Sequence, residues 1–182
     1  MLQVYTKTLV LYWRWVQEMG LRQTCEIAES FAREMLDPGG RPLCQHNEKT
    51  HFLLGHFYDL LAFPNRSTGS RYSPSSTNAQ SGSGDCARHI PTVIYHFGHS
   101  IIYGYKHIFQ SLPRLLTLWF ENYIHLRQEE RAKTNGMLRT LSDRLPAYIW
   151  LSVFSQLVSR ICHPDPEILN CLKDIIAKVV QR

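Results

Sequence analysis

The sequence predicts an all-α fold built from antiparallel helix pairs. Apolar residues recur at helical spacing through most of the 182 residues, as in Val93, Phe97 and Ile101. We find no stretch with the strict apolar-polar alternation that is typical of a half-buried strand. Short turn signals containing Pro or Gly separate the helical stretches, so consecutive helices are expected to pack as antiparallel neighbours.

Helical periodicity places three helices in the N-terminal part and three or more in the C-terminal part. The first three are expected at residues 2–19, 22–36 and 48–61, and Asp37-Pro38-Gly39-Gly40 ends the second. After Pro91, apolar positions continue to Tyr105 at four-residue spacing, and a fifth helix carries Leu115 to Tyr123. The stretch RQEERAKTNG is interpreted as a polar connection.

The C-terminal part contains two further helical stretches. From Pro146 an apolar stripe is expected to face the core, formed by Tyr148, Leu151, Phe154, Leu157, Val158 and Ile161. Asp165 is predicted to be the N-cap of the last helix, with Pro166 in its first turn. This helix presents a wide face of Ile, Leu and Val up to Val180.

One segment differs sharply in composition from the rest of the chain. Ten of the eighteen residues from Ser67 to Gly84 are Ser or Gly, and Tyr72 is the single large apolar residue among them. Such a segment cannot offset its ordering entropy by burial, so it is predicted to be a disordered insert. The expected organisation is therefore a helical region at 1–62, a flexible Ser/Gly-rich loop at 63–90 and helical repeats at 91–182.

The third helix carries a pattern that indicates the kind of helical array. His51-Phe-Leu-Leu54-Gly55-His-Phe-Tyr58 fits the first helix of a tetratricopeptide repeat, with His51 where Trp is usual. Gly55 would let a partner helix approach, while Leu54 and Tyr58 would pack against it. A core helix that contains Leu-Gly by coincidence is an equally good explanation. In the repeat interpretation, the Ser/Gly segment is an insertion between two paired helices.

Composition and charge exclude several classes of protein. Hydrophobic residues make up 44% of the chain and aromatic residues 12%, which is globular composition. No apolar run is long enough for a membrane span, and the N-terminus lacks the pattern of a signal peptide. The net charge is +5, but the basic residues are scattered and have acidic neighbours, so no direct contact with nucleic acid is expected. The five cysteines are expected to be reduced thiols.

No catalytic, cofactor-binding or metal-binding residues are predicted. The sequence has no GxGxxG or GxxxxGK[ST] phosphate loop, no GxSxG, no HExxH, and neither of the HRD and DFG motifs of a protein kinase. A zinc site formed by Cys44, His46, Cys86 and His89 is a weaker alternative, because its spacing is irregular and spans the Ser/Gly segment.

The remaining residues with reactive or aromatic side chains are given structural roles. His96 and His99 are one helical turn apart without a neighbouring carboxylate, so they are expected to be packed or partly solvated histidines. Cys162 and Cys171 are expected to be buried free thiols and not a disulfide. The four tryptophans are expected in the core or at a protein interface, namely Trp13, Trp15, Trp119 and Trp150.

Two stretches resemble a known family. Residues 96–121, with YGYKHIFQSLPRLLTLWFE, and residues 145–180, with LPAYIWLSVFSQLVSRICH, are similar to the FAT region of ATR-type checkpoint kinases. These kinases belong to the phosphatidylinositol-3-kinase-related family. The resemblance is good over about half of the chain, includes residues 48–61, and is weak over residues 1–40.

The resemblance implies an α-solenoid of tetratricopeptide-like helix pairs that braces a kinase domain. It implies a nuclear serine/threonine kinase of the DNA damage and replication-stress checkpoint, whose protein contacts include an ATR-interacting partner protein and a homodimer. ATP and Mg²⁺ would be cofactors of a kinase domain that lies outside this chain. Since family members are much longer, the chain is expected to be a fragment, a truncated gene model or a partial copy, and no family catalytic residue matches it.

The sequence thus supports two functional hypotheses. The first is a non-catalytic scaffold segment of an ATR-like kinase, and the second is a stand-alone helical adaptor that binds a protein or peptide. A nucleic-acid-binding protein is a weaker third. In the first, the residues expected to carry the packing are Leu54, Gly55, Tyr58, Phe97, Tyr105, Leu116, Trp119, Tyr148, Phe154 and Ile161.

Overall fold

The structure is a computed structural model that describes Leu11, residues 46–63 and residues 89–181. Its helices are α1 (Glu48–Ala62), α2 (Ile90–Tyr103), α3 (Ile108–Asn122), α4 (Gln128–Arg144), α5 (Ala147–Leu151), α6 (Phe154–Val158) and α7 (Pro166–Val180), with a 3-10 turn at Tyr123–His125. The described residues form no strand. The all-α prediction is therefore confirmed. None of the described helices is both long enough and apolar enough to cross a bilayer.

The helices form two layers. α2 contacts α1, α3 and α4, and α7 contacts α4 and α5. Neighbouring helices within a layer run parallel. Gln156 of α6 donates a hydrogen bond to the carbonyl of Pro113 on α3, and the ring of His163 contacts the carbonyl of Phe120. Both contact residues move forward along the chain together, as they do between parallel helices. Helices in opposite layers run antiparallel, as α1 and α2 do. This alternation is the arrangement of a helical-repeat solenoid, in which each pair buries its apolar face on the next.

The pairing of α1 and α2 follows from local sequence. The side chain of Asn47 accepts a hydrogen bond from the backbone N–H of Thr50 and caps α1. Leu54 and Tyr58 are buried, and the ring of Phe97 lies directly over Gly55. The predicted packing around Leu54-Gly55 is therefore confirmed. Since α1 and α2 are paired, the Ser/Gly segment does connect two partners of one pair.

Gly55 is a position at which a single methyl group should disturb the packing of α1 on α2. A Cβ at residue 55 would lie 2.6 Å from Cδ1 of Phe97, whereas a Cβ at Gly136 would meet nothing within 4 Å. Overpacking costs about 1–3 kcal/mol, against a gain of about 1 kcal/mol in helix propensity. We expect Gly55→Ala to lower the free energy of unfolding by about 1 kcal/mol, and Gly136→Ala to raise it by a similar amount. Urea denaturation of both variants checks this, and a stabilised Gly55→Ala protein would contradict the close approach.

α2 ends before the last residue predicted to belong to its buried stripe. Val93, Phe97 and Ile101 are buried, as expected, but Tyr105 is 57% exposed. The helix ends at Tyr103, and Gly104 is fully extended. Because the backbone leaves the helix at Gly104, the four-residue spacing no longer sets the direction of Tyr105. The core assignment of Tyr105 is therefore wrong.

The segment interpreted as a polar connection is helical. RQEERAKTNG contributes the first turns of α4, which runs to Arg144. The carboxylate of Glu130 accepts a hydrogen bond from the N–H of Arg127 and starts the helix. Thr134 and Asn135 are on its buried side. These polar residues weaken the apolar periodicity and explain why the pattern did not predict the helix.

The stripe predicted after Pro146 is mostly exposed, and Leu157 is its one fully buried member. Tyr148 is 67% exposed, Ile161 is 47% exposed and Phe154 is half-buried, whereas the buried set is Ile149, Trp150, Val153 and Leu157. The region is two short helices, and the N–H groups of Ser152 and Val153 bond to carbonyls three residues back. Three-residue hydrogen bonding puts positions i and i+3 on one side, so Trp150 and Val153 share the core face. The core assignment of Leu157 is confirmed, and those of Tyr148, Leu151, Val158 and Ile161 are wrong.

The remaining predicted elements match the structure where it describes them. α3 buries Leu116 and Trp119, although it begins at Ile108 and includes Pro113. Asp165 caps α7 through Oδ1, which accepts hydrogen bonds from the N–H groups of Glu167 and Ile168. Apart from Leu11, the first two predicted helices lie outside the described residues, as does nearly all of the predicted loop at 63–90. At the ends of that loop, Phe63 caps α1 and Ile90 is the buried first residue of α2.

Candidate functional site

A buried hydrogen-bond network joins three helices around Trp119. Nε1 of Trp119 donates to Oδ1 of Asn135 at 3.2 Å, and Nδ2 of Asn135 donates to the hydroxyl of Tyr123 at 2.6 Å and to Glu167 at 3.1 Å. The hydroxyl of Tyr123 also donates to Glu167. Burial and this hydrogen bond raise the pKa of Tyr123 to about 12, so the phenol keeps its proton at neutral pH. The network fixes α4 and α7 against α3.

An apolar surface lies on the outer side of α5 and α6. We call it the apolar face, and it consists of four exposed side chains: Tyr148, Leu151, Val158 and Ile161. On α3, Phe109 is also exposed, at 74%. Large apolar side chains left exposed close together in sequence are candidates for protein contact.

Two open grooves separate the parallel helices α2, α4 and α7. The groove between α2 and α4 encloses about 450 Å³, with Tyr95, Lys133 and Met137 in its wall. The groove between α4 and α7 encloses about 620 Å³, and an exposed ion pair between Lys178 and Asp143 lies beside it. Exposed ion pairs contribute about 0–1 kcal/mol, so this pair contributes little to holding α4 and α7 together.

A histidine cluster fills the interface between α1 and α2. Nδ1 of His51 lies 3.0 Å from Nδ1 of His96, and the two residues are 2% and 4% exposed. One imidazole therefore donates its Nδ1–H to the bare Nδ1 of the other. The ring of Tyr58 stacks on His96, and the ring of His99 lies 5.2 Å from that of His51. The expectation that His96 and His99 are packed or partly solvated is confirmed.

The histidines of α2 are held in the neutral form. Burial, together with repulsion from the neighbouring His51 and His99, lowers the pKa of His96 to about 3. Burial, together with repulsion from His51, Arg144 and His46, lowers the pKa of His99 to about 4. Since both values are below the ordinary 6.5, His96 and His99 are uncharged at neutral pH and their role there is packing.

The weaker metal hypothesis gains no support from the positions of its residues. Cys44 and Cys86 lie outside the described residues, and His46 and His89 lie at opposite ends of the α1–α2 pair, beside Tyr103 and Tyr58. In the described part of the chain, no group of three or more ligand side chains is arranged to hold a metal ion.

The cysteine and tryptophan expectations are partly met. Cys171 is a buried free thiol, and burial raises its pKa to about 11, but Cys162 is exposed and was wrongly expected to be buried. Cys162 follows the turn that ends α6, on the outer side of the stack. Trp119 and Trp150 are in the core, as predicted. Trp13 and Trp15 lie outside the described residues.

Parallel helices within each layer and antiparallel helices between the layers define the class of this protein: it is an α-helical repeat protein. Residues 133–182 match the family described as "Serine/threonine-protein kinase ATR-like, HEAT repeats". The chain is 31% identical to the "Serine/threonine-protein kinase ATR" of Oryza sativa subsp. indica over 97% of its length, and 30% identical to that of Arabidopsis thaliana over 97%. It is 31% identical to "Protein kinase rad3" of Schizosaccharomyces pombe over 73% of its length.

The chain belongs to the HEAT repeat family of ATR-like kinases. It spans only 7% of each of the two plant kinases and 6% of rad3. The similarity to the plant kinases extends well beyond the half of the chain that carries the recognised phrases. The matching family describes its repeats as HEAT repeats, and the assignment to the FAT region stays a prediction. No solved structure matches the chain.

Proposed function

We propose that this chain is a scaffold segment of an ATR-like serine/threonine kinase in the DNA damage and replication-stress checkpoint. In this proposal the helix pairs brace the kinase domain and provide contacts to other proteins, and the chemistry is carried out elsewhere. The main support is the apolar face, because a repeat that exposes Tyr148 and Leu151 has surface available for a further helical repeat or a partner. The similarity to ATR and rad3 supports the kinase context.

The finer parts of the proposal concern location, partners and cofactors. The proposed location is the nucleus, and the proposed partners are the kinase domain, an ATR-interacting type of protein and a second copy of the chain. No cofactor is proposed for these residues. ATP and Mg²⁺ would act at the kinase domain, where metal ions neutralise the charge that develops during phosphoryl transfer.

A stand-alone adaptor is the second candidate. The open groove between α2 and α4, with the half-exposed ring of Tyr95 in its wall, supports binding of a peptide without any attached kinase. The two candidates differ in what they require of the apolar face. A brace needs that face to be covered by neighbouring parts of the same kinase, and an adaptor does not.

A segment exchange in rad3 tests the scaffold proposal. The aligned 152-residue segment of rad3 would be replaced by this chain, by the chain carrying Trp119→Ala, and by an unrelated helical protein of equal length. We expect protein kinase activity of the purified chimera to be retained with the unchanged chain and reduced by Trp119→Ala. Equal activity with the unrelated helical protein would refute the brace and leave the adaptor.

The isolated chain is expected to self-associate through the apolar face. Full burial of one such side chain contributes about 1.5–3 kcal/mol, so we expect Tyr148→Ser with Leu151→Ser to weaken association by about tenfold or more. Analytical ultracentrifugation over a range of concentrations measures this. The control is Gln110→Ser with Glu121→Ser, two exposed polar positions on α3. A wild-type chain that stays monomeric at all concentrations would show the expectation to be wrong.

A further inference from the structure

The contact between α1 and α2 depends on at least one neutral imidazole. A hydrogen bond between the Nδ1 atoms of His51 and His96 needs one ring whose Nδ1 carries no proton. An imidazolium carries protons on both nitrogens. A first proton would therefore place a charge in a nearly water-free interface, and a second would bring two N–H groups face to face at 3.0 Å.

Aromatic rings and groups of both charges surround the cluster. From α2, His99, Tyr95 and Tyr103 surround the pair, and Tyr58 stacks on His96 from α1. His46 precedes α1, and Arg144 of α4 adds positive charge near His99. In the adjoining groove, Glu130 and Lys133 of α4 line the wall next to His96. The carboxylate of Glu130 is already bonded to the N–H of Arg127.

α1 is the outermost described helix, and its packing is mainly against α2. It is also tied to α3 at both ends. The Glu48 carboxylate accepts a hydrogen bond from the N–H of His107, and the ring of Phe52 stacks on that of His107. At the other end, Asp59 pairs with Arg114, whose guanidinium lies over the ring of Phe63. α2 has further contacts of its own with α3 and α4. The loss of the histidine contact therefore opens one helix and leaves the other described helices with their own core.

We infer that the α1–α2 interface is an acid-sensitive joint, at which protonation of the His51–His96–His99 cluster releases α1 while α3 to α7 remain folded. This inference does not rest on the proposed function. The sign follows from linkage, since the released state has an ordinary histidine pKa near 6.5 and the packed state has values of about 3 and 4. The released state thus binds more protons, and its population rises as the pH falls below 6.5, by up to about tenfold per pH unit for each proton taken up.

Hydrogen exchange on the full chain tests the joint between pH 7 and pH 4. Exchange rates would be corrected for the intrinsic effect of pH, and α1 would be compared with α7 in the same sample. We expect the protection of α1 against exchange to fall by at least about tenfold between pH 7 and pH 4, while α7 stays protected. A tenfold change is the effect of taking up one proton over one pH unit. Protection of α1 that does not change down to pH 4, or loss in α1 and α7 together, would overturn the inference.

Two variants assign the effect to the cluster. His51→Phe with His96→Phe removes two of the three titrating groups, the pair that shares the Nδ1 hydrogen bond, and keeps two rings in the interface. We expect α1 to keep more of its protection at pH 4 than in the wild-type chain. The control His56→Gln removes an exposed histidine of the same helix and should behave like the wild-type chain. If the double variant releases α1 at the same pH as wild type, the cluster is not the trigger. If it does not fold, the comparison of α1 with α7 in the wild-type chain still decides.

Discussion

Trp119→Ala is expected to lower the free energy of unfolding by about 3–5 kcal/mol, the range for truncating a buried Trp. Its side chain is 0% exposed and packs beside Phe120 in the centre of the described core. The change leaves a large cavity and also removes the donor that binds Asn135. A loss of this size is comparable to much of the stability of a small domain.

Urea unfolding followed by circular dichroism measures this effect, at a concentration where the chain does not associate. Trp119→Phe separates the two contributions, since it keeps most of the ring volume and removes only the Nε1–H donor. We expect it to cost less than half as much as Trp119→Ala. If Trp119→Ala stays within about 0.5 kcal/mol of wild type, the range of ordinary surface substitutions, then Trp119 is not a central core residue.

Asn135→Leu is expected to destabilise the protein by about 1–3 kcal/mol, even though it makes the buried face of α4 more apolar. The substitution leaves Nε1 of Trp119 without its acceptor inside the core. Tyr123 keeps its bond to Glu167, so the penalty comes chiefly from the indole. The hydrogen bond that Asn135 accepts from Trp119 is therefore expected to stabilise the protein more than a buried leucine side chain at this position would.

Asn170→Leu, at an exposed position of α7, is the matched control and should change stability by less than about 0.5 kcal/mol. Chemical denaturation of the two variants in parallel makes the comparison. Equal stability of Asn135→Leu and wild type would mean that the network adds nothing to the packing of α3 and α4. The double variant Trp119→Phe with Asn135→Leu should recover part of the loss, because it removes the unpaired donor.

Most of the helical architecture could be predicted because its signals are local. Asp165 and Pro166 mark the start of α7, and Leu54-Gly55 marks the close contact of α1 with α2. α4 could not be predicted as well, since its core face uses Thr134 and Asn135 in place of apolar side chains. Asn135 is held there by hydrogen bonds to Trp119, Tyr123 and Glu167, which lie outside α4, and a periodic pattern does not contain such contacts.

The candidate surface was the part least accessible to sequence reasoning. Tyr148 and Ile161 have the spacing of a buried helical stripe, but a change to three-residue hydrogen bonding at Ser152 and Val153 turns them outward. The histidine cluster was missed for a different reason. His51 and His96 are 45 residues apart, and only the pairing of α1 with α2 brings their rings together. Pairing across a long connection depends on the tertiary fold.

The parallel register within each layer also bears on how quickly the chain reaches its native state. Asn135 meets Glu167 across 32 residues, Asp143 meets Lys178 across 35, and Pro113 meets Gln156 across 43. The contact between Glu48 and His107, which joins α1 to α3, spans 59 residues. Because the entropy cost of loop closure rises with separation, the contacts among α3 to α7 are expected to form before those of α1 with α3. Folding can then spread from one helix pair to its neighbours.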